Sequence, residues 1–311
     1  MRIGVQLLYP TPAMSSADSV LLAKAAEERR FATLWRGEHV VNFPTYTSAY
    51  PYAAQAEQVG RTAWTLRPDT GFCDAFLQLM LFAAHTKEIR VGTGICIVPQ
   101  RNPLYTAKQV TAIDYLSGGR FNFGVGLGWS REEYAALGVP WAGRGKRMDE
   151  YLELMKRLWI DHDSEYHGET YDMPLCRQYP KPFQKPYPPI YVGGEGDPAL
   201  ARVAKHADGW FGMGQRPDQI PERLRRLDQL LSEQGRDRSS VQVAIAPYFK
   251  SISRGEAEDY AATGIDELIV MYASESVKET LEMLDHHAQL TELTREGERG
   301  SCNARAGPLT A

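Results

Sequence analysis

The feature that most constrains this chain is a rhythm. Short apolar, β-branched runs alternate with segments of helical period along almost its whole length. Parallel strands joined by crossover helices produce this pattern, because a parallel pair cannot be closed by a two-residue turn. Residues 3–8 read as a first strand and 16–29 as a helix, with Val20, Leu21, Lys24 and Ala25 beginning one face. Residues 32–35 read as a short strand. A polar, aromatic, Pro-containing stretch then runs from about 41 to 69. It is long for a βα connection, and such loops are often lids or binding loops.

The rhythm then resumes, with a helix over 74–86, a buried strand over 89–98, a helix over 104–116 and a strand over 121–126 that ends in glycines. The clearest helix is 147–159. There Met148, Tyr151, Leu152, Met155, Leu158 and Trp159 fall at i, i+3, i+4, i+7, i+10 and i+11. Prolines and aromatics over 166–189 break the pattern, as an inserted hairpin or excursion would. Strands are expected at 190–192, 209–213, 241–246 and 267–271, and helices at 198–206 and 221–233. Ser276 and Glu279 make a capping-box start for a last helix to about 288. From 291 to 311 the chain is polar and without period, which reads as a flexible tail.

About eight β–α units in ~290 residues match the requirement of a TIM (β/α)8 barrel. The expectation is one α/β barrel domain over 1–290, with an insertion after the fourth β–α unit. A doubly wound sheet is the competitor. It would more often use six or fewer parallel strands, with a phosphate fingerprint directly after the first. Here that segment is Tyr9-Pro10-Thr11-Pro12.

Composition narrows the function classes. The net charge of −4 lacks the basic excess of a nucleic-acid binder. No apolar run approaches the ~18–20 residues of a membrane span. The N-terminus has one basic residue before its apolar stretch and no cleavage region, so it reads as a strand. Cys73, Cys96, Cys176 and Cys302 form no CxxC pair and suggest no disulfide framework. The expectation is a cytoplasmic enzyme with a small organic substrate, and with neither nucleic acid nor membrane as partner.

In a barrel the chemistry lies at the C-terminal strand ends. The second strand ends in Arg36-Gly37-Glu38-His39. A carboxylate beside an imidazole is a candidate acid/base pair, although a lone histidine can equally be a plain core or surface imidazole. Gly92 and Gly94 in the third strand mark either a bulge in ordinary packing or backbone approaching a ligand. The alternating run Gly124, Gly126, Gly128 before Trp129 is not a dinucleotide fingerprint, but it describes backbone that comes very close to something flat. Ser130 and Glu133 look like a capping box. Gly193, Gly194, Glu195 and Gly196 precede a helix and read as an anion site for a phosphate, or as a tight βα turn. No metal motif occurs. Strand ends offering mostly glycine point to a bulky planar cofactor held by backbone.

These segments resemble the luciferase-like flavin and deazaflavin oxidoreductases, and most of all the subgroup that depends on coenzyme F-420. The resemblance covers about residues 2–290. It is carried by LWRGEHVV (34–41), IRVGTGICIVPQRNPLYTAKQVTAIDYLSGGRFNFGVGLGWSREEYAALGVP (89–140) and KPYPPIYVGGEGDPALARVAKHADGWF (185–211). It implies a luciferase-like barrel with its ring cofactor across the strand ends, against Gly94, Ile95, Gly126, Gly128 and Trp129. The phosphate would lie near Gly193–Gly196, with Asn102 and Thr106 as polar contacts and a cis bond at Gly94–Ile95. It further implies His39 as general acid/base, Glu38 orienting it or touching the ring, and a homodimer. The implied activity is hydride transfer between coenzyme F-420 and an organic substrate. An FMN-dependent monooxygenase is the alternative, and a non-catalytic cofactor-binding barrel is a second. Two positions depart from the family pattern. Trp129 stands where some sugar-phosphate dehydrogenases of the family place a catalytic Glu. Arg36 stands where an aliphatic residue is common, as a possible anion contact or a side chain reaching outward.

Overall fold

The computed structural model describes residues 1–8, 15–58, 72–274 and 276–292. Its first strand, β1 (Arg2–Leu8), shows how the sequence divides between two faces. Ile3, Val5 and Leu7 pack outward in the larger apolar cluster, against the helices. Gly4 and Gln6 turn inward: Gly4 borders Glu267 and Trp35, and Gln6 donates to the Gly94 carbonyl at 2.8 Å. Side chains alternating across a strand that is covered on both sides give this near-continuous burial.

α1 (Ser16–Glu28) follows, started by a capping box between Ser15 and Asp18. β2 (Thr33–Arg36) leads into a strap over 37–58 that contains α2 (Ala53–Gln58). α3 (Ala75–His85) is capped by Asp74. The expected strand over 89–98 is broken into β3 (Arg90–Thr93) and β4 (Cys96–Ile97) by a bulge at Gly94–Ile95, whose peptide bond is cis. α4 (Pro103–Leu116), β5 (Phe121–Gly126), α5 (Arg131–Ala136) and α6 (Arg144–Ile160) come next. The excursion contains an antiparallel pair, β6 (Ser164–His167) and β7 (Asp172–Cys176). The chain then runs β8 (Ile190–Gly193), α7 (Asp197–His206), β9 (Gly209–Met213), α8 (Ile220–Glu233), β10 (Gln242–Ala246), α9 (Arg254–Ala262), β11 (Glu267–Ala273) and α10 (Val277–Ala288).

Parallel pairing runs β3-β2-β1-β11-β10-β9-β8-β5, and the β3–β5 pair, Val91 with Phe121 and Gly92 with Asn122, closes the ring. This is a closed parallel barrel of eight strands, with the β6–β7 hairpin inserted after the fourth β–α unit. The doubly wound alternative is excluded by the closure. The barrel interior forms a second apolar cluster around Trp35, Tyr191, Phe211, Ala244 and Ile269. Trp35 is its centre, edge-on to Tyr191 and Phe211 at 5.4 and 5.2 Å, with its indole N–H on Glu267 at 2.9 Å.

Two further readings change. α9 escaped the periodicity because only Ala257 and Tyr260 of it are buried, which leaves no apolar stripe. Its start signal, the Ser253–Glu256 capping box, is nonetheless present. Thr291, the first residue of the expected tail, still packs, its hydroxyl donating to the carbonyls of Arg29 and Ala288. The rest of that tail, from 293, lies outside the described residues, as do 59–71 of the long loop and Cys302. No helix among the described residues is long and apolar enough to cross a membrane.

Candidate active site

The eight strand ends surround a cavity of about 400 Å³. Its wall takes in the ends of β2 (Glu38, His39), β5 (Gly126, Gly128, Trp129) and β8 (Gly193, Gly194, Glu195, Gly196), with Gly94 and Ile95 of the bulge between them. The structure therefore brings together every site residue expected from sequence except two. Asn102 caps α4, accepting from the backbone N–H groups of Leu104 and Tyr105. Thr106 is buried and bonds the Asn102 carbonyl within the same helix at 2.9 Å. Neither lines the cavity, and the bonds the structure gives them serve the start of α4.

The glycine run has a different cause from the one expected. A Cβ on Gly124 would lie 1.9 Å from the Thr93 carbonyl oxygen, and one on Gly126 would lie 1.8 Å from Cδ1 of Ile95. Gly128 faces Ile97, and Gly193 faces Ile95. The object these glycines make room for is the bulge after β3. Its Ile95 side chain is thereby seated between β5 and β8 and forms the bed of the cavity.

The acidic partner of His39 is not its neighbour Glu38. The Glu38 carboxylate accepts the Ile97 N–H at 2.9 Å and pairs with Arg101, which itself also bonds Gln109. Glu38 thus ties β4 and the segment after it to the end of β2 while still lining the cavity, and the carboxylate that faces His39 is a different one. That carboxylate is Glu133, whose Oε2 lies 3.1 Å from His39 Nδ1 while its Oε1 accepts the Val40 N–H at 2.6 Å. Ser130 does cap α5, accepting the Glu133 N–H, but the Glu133 side chain does not complete a capping box. Burial pushes the Glu133 carboxyl up; hydrogen bonds from His39 and Val40, with Gln100 alongside, outweigh it and hold the group below the usual carboxylate range. Sequence reasoning missed this role because the Ser-x-x-Glu spacing has a sufficient local explanation.

His39 sits among aromatic rings: Phe72 at 5.2 Å and Trp129 at 6.0 Å, with Tyr46 and Tyr50 in turn packed against Trp129. The strap supplies Tyr50 and Tyr52 to the wall. Tyr52 donates to Glu195 at 3.2 Å, and the Met213 N–H reaches the same carboxylate at 2.9 Å. Burial raises the Glu195 carboxyl above its ordinary value, against these bonds. Arg36 neither reaches outward nor lines the cavity; it is buried, donates to the Leu7 carbonyl and lies under the Phe72 ring.

Two cations also line the cavity, Arg144 and Arg202. Arg144, at the start of α6, stacks on Trp141 with Cζ 3.6 Å from the ring centroid, and its buried Nε has no hydrogen-bond partner. Arg202 of α7 is anchored on Asp149 at 2.5 Å. Both α6 and α7 begin at a glycine, Gly143 and Gly196, with no side-chain cap.

Fold and site together are those of a barrel enzyme whose reaction centre sits at the C-terminal strand ends. The chain belongs to the luciferase-like monooxygenase family, whose sequence profile matches residues 1–307. Members of this family are flavin- or deazaflavin-dependent oxidoreductases. An uncharacterised protein of Mycobacterium tuberculosis is 34% identical over 215 residues, covering 69% of this chain and 72% of that one. An FMNH2-dependent dimethylsulfone monooxygenase of Pseudomonas putida is 27% identical over 197 residues, 62% of this chain and 52% of its own length. Among solved structures, the coenzyme F-420-dependent tetrahydromethanopterin reductase of Methanopyrus kandleri shares the fold. Its TM-score is 0.72 at 14% identity, covering 94% of this chain and 99% of the other.

Proposed function

We propose that this chain transfers a hydride between coenzyme F-420 and a small, largely apolar organic substrate, with His39 as general acid/base. The observation that carries the reading is the pairing of His39 with Glu133, beside Phe72 and Trp129, in a cavity that Arg144 and Arg202 also line. The residues present fit a ring cofactor with an anionic tail. Ile95, seated on glycines, offers a flat apolar bed, and the Arg144 Nε is a buried donor in want of an acceptor. The N–H groups at the starts of α6 and α7 add to the attraction for an anion. When bound, the deazaflavin supplies the two-electron chemistry.

The chain's own residues do the rest. Ile95, Gly126 and Gly193 would support the ring, while Arg144 and Arg202 would hold the anionic tail. Trp129, Phe72 and Tyr50 exclude water and select an apolar substrate face. His39 gives or takes the proton at the substrate heteroatom, because the carbon–heteroatom bond changes order as the hydride moves.

An FMN-dependent monooxygenase is the second reading, favoured by the Pseudomonas putida relative. Fluorescence titration of the purified chain with F-420 and, separately, with FMN decides between them. The expected result is saturable binding of F-420. Micromolar binding of FMN with none of F-420 overturns the first reading. With an active substrate in hand, His39→Ala is expected to abolish turnover while cofactor binding persists. Unchanged turnover removes His39 from the acid/base role. Cofactor binding without turnover across a broad substrate panel favours a barrel that binds and does not catalyse.

A further inference from the structure

We infer that Glu133 is the positioning residue for His39: its carboxylate fixes the imidazole in the Nδ1–H tautomer and leaves the Nε2 lone pair to the cavity. The inference deepens the acid/base assignment of His39 and rests on that assignment only for its catalytic consequence.

The argument is one of donors and acceptors. Glu133 is 1% exposed: its Oε1 accepts the Val40 N–H at 2.6 Å, its Oε2 lies 3.1 Å from the His39 Nδ1, and the Gln100 carboxamide, which can turn to suit either role, lies alongside. The Val40 N–H is a backbone donor and cannot change role. An ionised carboxylate is acceptor-only. The atom facing Oε2 must therefore be a donor, which places a proton on Nδ1. Were Nδ1 bare, two lone pairs would meet at hydrogen-bond distance in a buried site. With Nδ1–H taken up, Nε2 is the nitrogen left for a ligand. The ring's other close neighbours, Phe72 and Trp129, present ring faces and edges and offer no strong acceptor to Nε2.

The two-oxygen fork makes Glu133→Gln a sharp probe. A carboxamide has one oxygen and one NH2. The oxygen must go to the Val40 N–H, because an NH2 there would set donor against donor. The NH2 then faces His39, so Nδ1 becomes the acceptor and the proton moves to Nε2. The substitution preserves size and shape while inverting the tautomer, and Nε2 loses the capacity to accept a proton. A purely structural role for Glu133 would not move the proton between ring nitrogens.

The experiment is NMR of isotope-labelled histidine nitrogens on the full chain, without cofactor or substrate, above the pH at which the rings are charged. His39→Gln assigns the signal. The wild type is expected to show His39 as the Nδ1–H tautomer, and Glu133→Gln is expected to show it as Nε2–H. A wild-type ring protonated at Nε2, or a Gln variant that keeps Nδ1–H, overturns the inference. If the variant does not fold, the wild-type spectrum alone still decides. The readout uses neither cofactor nor turnover. Failure of F-420 to bind would leave it intact, and a wrong tautomer would leave the cofactor reading intact.

Discussion

Thr47 gives both its backbone N–H and its hydroxyl to a single carboxylate oxygen of Glu132, at 2.6 and 2.7 Å. The Ser48 N–H joins them at 2.9 Å, and the Arg131 N–H returns a bond to the Ser48 hydroxyl at 3.0 Å. The strap that lines the cavity with Tyr50 and Tyr52 is thus pinned to the first turn of α5. The next residue of that turn, Glu133, holds His39. One helical turn thus contacts both the strap and His39.

Glu132→Ala is expected to release the strap. Hydrogen exchange at the Thr47 and Ser48 amides should rise severalfold, while the His39–Glu133 contact persists. Unchanged exchange would show that the strap is held elsewhere. Burial pushes the Glu132 carboxyl up, but the Thr47 and Ser48 hydrogen bonds together outweigh it and hold the group far below its ordinary value of 4.5. A depressed folded-state value means the latch is fully present above about that ordinary value. It is lost only as the pH falls through the depressed one. Strap protection should therefore survive from neutral into moderately acidic solution.

Gly126→Ala would drive a methyl group into Ile95. Overpacking of this kind typically costs about 1–3 kcal/mol. Because Ile95 is also the bed of the cavity, the variant should lose cofactor affinity beyond what its stability loss accounts for. Equal affinity in a folded Gly126→Ala protein would show that Ile95 does not support the ring.

Trp35→Ala removes the largest buried side chain of the barrel interior, together with its bond to Glu267. Large-to-small aromatic substitutions of this class cost about 3–5 kcal/mol. Denaturant unfolding should show a loss in that range. Gly92→Ala should also destabilise, since its Cβ would lie 2.7 Å from Cζ3 of Trp35.

Arg144→Ala should weaken binding of an anionic cofactor by about tenfold or more, the usual consequence of losing a hydrogen bond to a charged group. The loss should shrink for a riboflavin-like ligand that lacks the phosphate. Equal losses for both ligands would separate Arg144 from the anionic tail.

The capping box of α9 should be acid-sensitive. The hydrogen bond from Lys250, with that from the Ser253 N–H, lowers the Glu256 carboxyl from 4.5 to about 2. Its stabilisation is complete above about 4.5 and disappears as the pH falls toward 2. Protection factors of α9 amides should decline across that window, and Glu256→Gln should flatten the decline.

The barrel was legible because hydrophobic period is a local property. Each strand of the ring and most helices announce their place, although the break of the 89–98 run into β3 and β4 does not show in the period, and the count of units leaves little choice of closure. The cavity was legible too, since strand ends of a barrel converge and His39, Trp129 and Gly193–Gly196 stand at such ends. α9 was not legible by period, because a helix with two buried residues has no stripe to reveal.

What only the tertiary structure decided is who meets whom. Glu38 is bonded to His39 through the chain, yet the carboxylate that faces His39 comes from Glu133, 94 residues away. Neighbours in sequence leave an extended segment in opposite directions. Glu38 therefore goes to Arg101 and Ile97, and His39 is free to meet another loop. The glycines of β5 follow the same logic. Their spacing is visible in sequence, but the object they accommodate is the bulge of the neighbouring strand, which exists only once the ring has closed. Composition and period determined the scaffold, because they act within one segment. Donor–acceptor matching and close packing determined the site, because they act between segments.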